Sequence, residues 1–282
     1  MKVIRSIEEM QTDVQQRRKQ GARIGFVPTM GALHAGHAAL VIRSVNENDR
    51  TVVSLFVNPL QFGPKEDFRR YPRTEAQDLR LLERAGADVV FIPKAQEMYP
   101  EPFSVSIQST SPLKELWEGA SRPGHFAGVA TVVIKLFMIV QPTRAYFGQK
   151  DFQQLRLIQR ITKELNVPVQ IVPCKTIRES DGLAMSSRNR YLSSKEREEA
   201  VKLYQALYLG QELIEQRVMK KPEQIVKRLT QVLSMIPNSK VDYVAVADPV
   251  TLEPLKTVKK PVWLAAAVRI GKTRLIDNIL IG

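Results

Sequence analysis

The feature that most constrains this chain is an alternation. Over residues 1–175, short apolar runs take turns with longer runs of helical spacing. Arg23–Val27, Thr51–Val57, Asp88–Ile92, Arg144–Phe147 and Val169–Val172 read as strands. Helices are expected over about His37–Asn46, Thr74–Ala85, Gly128–Val140 and Asp151–Leu165. Thr74 is placed as an N-cap and Gly86 as the stop of its helix. Strands that are apolar along their whole length are buried on both faces. Alternation with helices makes such strands parallel, so the expectation is an α/β sheet covered on both sides.

The pattern changes after Cys174. A polar stretch, Lys175–Asn189, leads into two helical runs, about Ser194–Arg217 and Pro222–Ser234. Three strand-like runs close the chain, VDYVAVADP, PVWLAAAVRI and TRLIDNILI. This is an α+β pattern with antiparallel pairing, and it sits on too few residues to be the larger part. The 282 residues are therefore divided into a domain of residues 1–175 and a smaller one of residues 176–282. Gly271-Lys272-Thr273 has the ending of a Walker phosphate loop. Ala266 stands where that pattern needs glycine and no helix follows, so a hairpin turn is expected.

Charge narrows the class of partner. Lys and Arg number 42 against 29 Asp and Glu, a net charge of +13, with +6 of it in residues 176–282. A basic balance favours anionic ligands. The excess is spread evenly, and basic residues are not interleaved with aromatic ones, so no nucleic-acid stripe is expected. A single cysteine, Cys174, excludes an intrachain disulfide and a cysteine-built zinc site. The N-terminal residues lack the apolar core of a secretory signal. Val129–Val140, the most apolar stretch, contains Lys135 and is too short to span a bilayer. A cytoplasmic protein without membrane attachment is expected.

Five strings carry the chemistry. Pro28-Thr29-Met30-Gly31-Ala32-Leu33-His34-Ala35-Gly36-His37 follows the first strand-like run and opens a helix. Glycines there allow close backbone approach, and amides at a helix start favour phosphate. His34 and His37 stand i, i+3 and can face one ligand, or they are two surface histidines at a turn. Phe56-Val57-Asn58-Pro59-Leu60-Gln61-Phe62 ends the next strand and offers two neutral amides among apolar groups, which suits a small hydroxy acid, although on its residues alone a strand-terminating turn is the simpler reading. Tyr146-Phe147-Gly148-Gln149-Lys150-Asp151-Phe152-Gln153-Gln154 is again strand to helix. A lysine at a helix start opposes the helix dipole unless an anion lies beside it. Ala184-Met185-Ser186-Ser187-Arg188-Asn189 groups two hydroxyls with a guanidinium, which is either a grip for a triphosphate or, taken alone, a solvent-exposed surface string. Arg122-Pro123-Gly124-His125-Phe126-Ala127-Gly128-Val129 holds the last histidine, for which a structural or cleft-closing role is expected.

His-Ala-Gly-His after a first strand resembles the H-I-G-H signature of a nucleotidyltransferase superfamily. The longer string PTMGALHAGH is similar to that of the pantothenate synthetases, the pantoate–β-alanine ligases. FVNPLQF, RPGHFAGV, GQKDFQQ and MSSRN match the same family in the same order. The family usually carries an acidic residue where this chain has Ala35, a position that points away from the phosphates.

The resemblance implies a Rossmann-like doubly wound sheet with a C-terminal lid, and a homodimer formed through the N-terminal domain. It implies ATP, (R)-pantoate and β-alanine as substrates, with Mg²⁺ on the ATP and held mainly by its phosphates. Met30–His37, Gly148–Asp151, Ile177 and Met185–Arg188 would meet the nucleotide. Asn58, Gln61 and Gln154 would hold pantoate and shape the β-alanine site. His34, His37, Lys150 and Arg188 would act in catalysis, with His37 a proton donor. Pantoate's carboxylate would attack the α-phosphorus, pyrophosphate would leave, and β-alanine would displace AMP. Another small-molecule nucleotidyltransferase of the same superfamily is the alternative.

Overall fold

The structure is a computed structural model, and it describes residues 1–64, 66–110 and 112–282. The chain divides into two compact units. The first comprises Met1–Ser111, Arg122–Gln149 and Gln154–Lys175, and the second Pro112–Ser121, Lys150–Gln153 and Thr176–Gly282.

The first unit is built on six strands, β1 (Lys2–Ile4), β2 (Ile24–Thr29), β3 (Arg50–Leu55), β4 (Val89–Phe91), β5 (Arg144–Gly148) and β6 (Gln170–Cys174). They are parallel, in the order β1-β4-β3-β2-β5-β6. The helices up to this point are α1 (Ile7–Lys19), α2 (Ala35–Glu47), α3 (Glu75–Arg84), α4 (Ala95–Met98), α5 (Glu118–Ser121), α6 (His125–Val140) and α7 (Phe152–Glu164). Val27, Val53 and Val90 lie in register on one face of the sheet, under Leu40 and Val41 of α2 and Leu82 of α3. On the other face, Phe137 of α6 meets Phe26 and Phe147 edge-on, with centroids 6.4 Å apart in each case. Burying each such ring contributes roughly 2–3 kcal/mol.

β1 and α1 were not legible as elements. β1 is three residues long, and α1 buries only Met10 and Val14 on an otherwise polar sequence. Its signal is its cap, since Ser6 accepts from the Glu9 amide at 3.3 Å. Acidic residues stand in its first turn and basic ones in its last, as the helix dipole favours. β3 also ends earlier than its apolar run, at Leu55, where the Phe56 amide makes the last ladder bond to the Thr29 carbonyl at 3.0 Å.

The second unit has an antiparallel sheet of β7 (Ser239–Ala247), β8 (Val262–Ile270) and β9 (Thr273–Ile281). α8 (Ser194–Glu215) and α9 (Pro222–Ser234) cover one face, with Leu203, Leu207 and Leu229 packed on Val244, Leu264 and Val268. Ile270 pairs with Thr273, so Gly271-Lys272 is the hairpin turn expected of it. On the other face, Trp263 stacks with Phe152 at 5.8 Å and meets Trp117 at 6.4 Å. Glu118 accepts from Tyr243 Oη at 3.0 Å and from Arg274 Nη1 at 2.8 Å. The Gln153 amide accepts from the Glu118 backbone and donates to the Leu113 and Leu116 carbonyls. These contacts are why two short segments from the middle of the chain belong to the second unit. Among the described residues, no helix is long and apolar enough to cross a membrane.

Candidate functional site

In the first unit the strand order reverses at β2, with β3 on one side and β5 on the other. Open α/β sheets bind ligands outside the carboxyl ends of their strands at such a switch point. Three of the five strings follow β3, β2 and β5.

The turn after β2 is held from within. Thr29 Oγ1 donates to the Ser54 carbonyl at 2.7 Å and accepts from the Gly31 amide at 3.2 Å. Gly31 and Ala32 take left-handed backbone, with φ of 81° and 50°. The amides of Ala32 and Leu33 donate to the two carboxylate oxygens of Asp78 at 2.9 and 2.8 Å. Thr74, which stands at the N-cap of α3, donates its hydroxyl to Asp78 as well and makes no side-chain cap bond. Asp78 is buried and shapes the Met30–Leu33 turn, and sequence reasoning missed it. Its partners are backbone amides 45 and 46 positions away, which leave no trace in local spacing.

His34 is the N-cap of α2, and the rings of His34 and His37 lie 4.0 Å apart. The i, i+3 spacing does bring them together. His37 Nδ1 accepts from the His34 amide at 3.4 Å. A neutral His37 therefore carries its proton on Nε2, where the ring is a donor.

The turn after β3 is an amide relay. Asn58 Oδ1 accepts from the Leu60 amide at 3.3 Å and from Tyr99 Oη at 2.7 Å. Burial pushes the Tyr99 phenol above its ordinary range, which keeps it a donor. Asn58 Nδ2 then donates to the Gly128 carbonyl and to Gln61 Oε1, both at 3.1 Å. All four hydrogen-bonding positions of the Asn58 amide are thus filled inside the protein. The consequence reaches Gln61, whose oxygen is turned inward and whose Nε2 lies 2.8 Å from Met30 Sδ. The orientation of both amides follows from donors that cannot be reversed, a backbone N–H and a phenol.

The string at 122–129 is the bed of that turn. His125 Nε2 lies 3.0 Å from Arg122 Nη1, which can only donate, so Nδ1 carries the proton and donates to the Gln61 carbonyl at 2.8 Å. Arg122 also grips both oxygens of Glu66 at 2.7 Å. A Cβ at Gly128 would lie 2.2 Å from the Leu60 carbonyl oxygen, so only glycine allows the turn to rest on α6. His125 has partners that its sequence did not disclose, and they are structural.

Gly148 closes β5, and Gln149–Asp151 form a 3₁₀ turn. Gln154, half-buried, lies in the first turn of α7. Gly148, Gln149 and Gln154 belong to the first unit, and Lys150 and Asp151 to the second. Lys150 Nζ lies 3.6 Å from Asp151 Oδ1, with the lysine side chain mostly covered and the carboxylate half exposed.

The second unit also holds the fourth string. Ile177 and Met185 pair through backbone at 3.0 Å, and Arg178 bridges to Ala184, so residues 177–185 form a tight hairpin. Gly182 turns its tip with φ of 97°. Ser186 then caps the 3₁₀ helix Ser187–Tyr191 by accepting from the Arg188 amide at 3.2 Å. Asn189 ties the end of the string to Glu179 and Ala184. Among the described residues, no three or more His, Cys, Asp or Glu side chains come together to hold a metal ion.

Comparison with known proteins identifies the family. A family model described as pantoate-beta-alanine ligase matches residues 2–280. A pantothenate synthetase of Thermotoga petrophila is 49% identical over 285 residues, covering 100% of both chains. One from Sulfurihydrogenibium is 51% identical over 280 residues, with 99% of each chain covered. The crystal structure of pantothenate synthetase from Thermus thermophilus superposes with a TM-score of 0.93 at 46% identity, covering 99% of each chain. The enzyme of Francisella tularensis, solved with β-γ ATP and β-alanine, gives 0.83 at 35% identity, over 99% of this chain and 97% of that one. Since the match runs from the first strand to the last and includes the strings on which the switch point is built, the chain belongs to the pantoate–β-alanine ligase family.

Proposed function

We propose that the protein joins (R)-pantoate to β-alanine at the expense of ATP, through pantoyl adenylate, releasing pyrophosphate and AMP. One observation carries the reading beyond family membership. The turn bearing the histidine pair touches the turn bearing the oriented amide, with Gln61 Nε2 2.8 Å from Met30 Sδ. A donor suited to a small acid therefore lies beside a turn suited to phosphate.

A carboxylate is a poor acyl donor because oxide is a poor leaving group, so activation comes first. The carboxylate of pantoate attacks the α-phosphorus, its new P–O bond forms as the bond to pyrophosphate breaks, and the product is a mixed anhydride. The β-alanine amine then attacks the acyl carbon, AMP leaves, and the amine's extra proton passes to solvent. Both steps depend on positioning and charge stabilisation. Gln61 and Gln154 bind and orient pantoate, and Asn58 aims Gln61. His37, a donor at Nε2, and His34 stabilise charge on the phosphates. Lys150 neutralises the α-phosphoryl oxygens, and Ser186, Ser187 and Arg188 hold the outer phosphates. Met30–His37, Gly148–Asp151, Ile177 and Met185 complete the nucleotide's surroundings.

Mg²⁺ enters as part of the ATP substrate. The side chains present fit an ion held mainly by phosphate oxygens, with Asp151, half exposed beside Lys150, the carboxylate that the Tyr146–Gln154 string offers it. The remaining elements of the proposal rest on family resemblance: a homodimer, a cytoplasmic location, and a lid role for the second unit.

The test is pantoate-dependent exchange of labelled pyrophosphate into ATP, with Mg²⁺ and without β-alanine. The expected result is exchange that needs pantoate and that gives way to AMP and pantothenate when β-alanine is added. Exchange with another acid and not with pantoate would move the protein to a different adenylate-forming reaction.

A further inference from the structure

Within the last strand, the otherwise apolar run Leu275–Ile281 carries two adjacent polar residues, Asp277 and Asn278. Neighbouring residues on a strand point to opposite faces. Asp277 lies on the face covered by α8, in line with Leu275 and Ile279, which pack in the core of the second unit. Its carboxylate is gripped by Arg178, with Nη1 to Oδ2 at 2.5 Å and Nη2 to Oδ1 at 3.0 Å. Arg178 stands in the hairpin that leads into Met185–Arg188, donates to the Gly182 carbonyl at its tip, and lies 4.0 Å over the ring of Tyr204. Asn278 lies on the opposite face, where Nδ2 donates to the backbone carbonyl of Lys150 at 2.8 Å. The two are linked directly, since the Asn278 amide donates to Asp277 Oδ1 at 2.8 Å.

An unbroken hydrogen-bonded chain thus runs from the backbone of Lys150, through one strand, to the base of the 177–185 hairpin that leads into Arg188. Stability alone does not account for it. Replacing a buried ion pair with packed apolar residues is often neutral or stabilising, and the face that carries Asp277 is already apolar. What the chain does supply is spacing between two cationic loops.

We propose that Asp277 and Asn278 are positioning residues for adenylate formation, holding the loop of Lys150 and the 177–185 hairpin that leads into Arg188 at the separation that one ATP molecule requires. The proposal rests on the reading that Lys150 and Arg188 bind ATP phosphates. A displacement of about 1 Å at such groups costs on the order of 100-fold in rate.

The test is a double-mutant cycle on the full chain, read as affinity for a non-hydrolysable ATP analogue by calorimetry, which needs no turnover. Asn278→Leu and Lys150→Ala are made singly and together. Asn278→Leu alone is expected to weaken the analogue about tenfold and to lower pyrophosphate exchange by about 10–100-fold, with the KM for pantoate unchanged. In the Lys150→Ala background the same change is expected to cost no more than about twofold, because the group it positions is gone. Equal losses in both backgrounds overturn the proposal, as does a wild-type response to Asn278→Leu. Normal analogue affinity and exchange in Lys150→Ala alone overturn the reading of Lys150 and the proposal with it, which the single variant distinguishes. Should Asn278→Leu fail to fold, Asn278→Asp removes the same donor at nearly constant volume and is read in the same way.

Discussion

Single residues act in this protein mostly by orienting others. Asn58 is the clearest case, with its amide filled by four partners and its effect emerging at Gln61. Asn58→Asp keeps the acceptor that Leu60 and Tyr99 use and removes both donors. Gln61 then loses the bond that fixes its orientation. An ordinary hydrogen bond contributes about 1 kcal/mol, so the KM for pantoate is expected to rise about tenfold while the KM for ATP stays within about twofold. Steady-state kinetics with each substrate varied in turn check this. An equal rise in both would mean that Asn58 supports the whole switch point and not the acid subsite. Much of this was legible in the strings, which put amides, histidines and cations on the page. Their division of labour was not. That Asn58 is spent internally, that His125 is a brace, and that Asp78 and Tyr99 are needed at all depend on partners far away in sequence.

At the scale of elements, close approaches decide which residue can stand where. Gly128 lies inside α6, where replacing glycine with alanine ordinarily stabilises a helix by about 1 kcal/mol. Here the added Cβ would meet the Leu60 carbonyl oxygen at 2.2 Å and the Gln61 amide nitrogen at 2.7 Å, both backbone atoms. Overpacking typically costs about 1–3 kcal/mol, so the clash outweighs the propensity. Gly128→Ala is expected to lower stability on thermal unfolding and to raise the KM for pantoate more than that for ATP. The strands of the sheet were legible because each is a continuous apolar run. β1 and α1 were not, because one is too short and the other too polar for periodicity to register.

The start of β2 is held by an exposed ion pair, Arg23 to Asp49 at 3.0 Å. Asp49 is held down to about 2 by the Arg23 side chain and then by the Arg23 amide, which tie the end of α2 to β2. A carboxyl with a depressed pKa in the folded state adds stability above its unfolded value of about 3.9, and that contribution is lost as pH falls through the folded value. Both groups are exposed, so the effect is small. Carboxyl titration by NMR is expected to give an Asp49 midpoint near 2 in the wild-type protein. In Arg23→Ala it is expected to move up toward about 3.9. An unchanged midpoint would remove Arg23 as the cause.

For the whole molecule, the informative fact is which residues each unit owns. A division of the sequence at 175/176 follows the change in pattern after Cys174. The inclusion of Pro112–Ser121 and Lys150–Gln153 in the second unit was not readable, because it depends on Trp117, Glu118 and Phe152 finding partners on β7, β8 and β9, with Gln153 tying the two short segments together. A fragment of residues 176–282 would leave Trp263, Tyr243 and Arg274 without those partners. It is expected to aggregate or to bind a hydrophobic dye, and adding a peptide of residues 112–121 is expected to reduce the dye signal. A fragment that is monomeric, dye-silent and cooperatively folded would show that the sheet stands without them.

The braiding of the chain between the two units also bears on how such a protein can change over generations. Units joined by a single linker can be shuffled, duplicated or traded whole. Here the covering of the second sheet is encoded within the gene stretch that otherwise builds the first unit. A crossover at the pattern change would hand a descendant a sheet without its covering. Inheritance therefore treats the two units as one piece: a substitution at Trp117 has to be matched at Trp263, more than a hundred codons downstream, and one at Gln153 in the Pro112–Ser121 segment upstream of it.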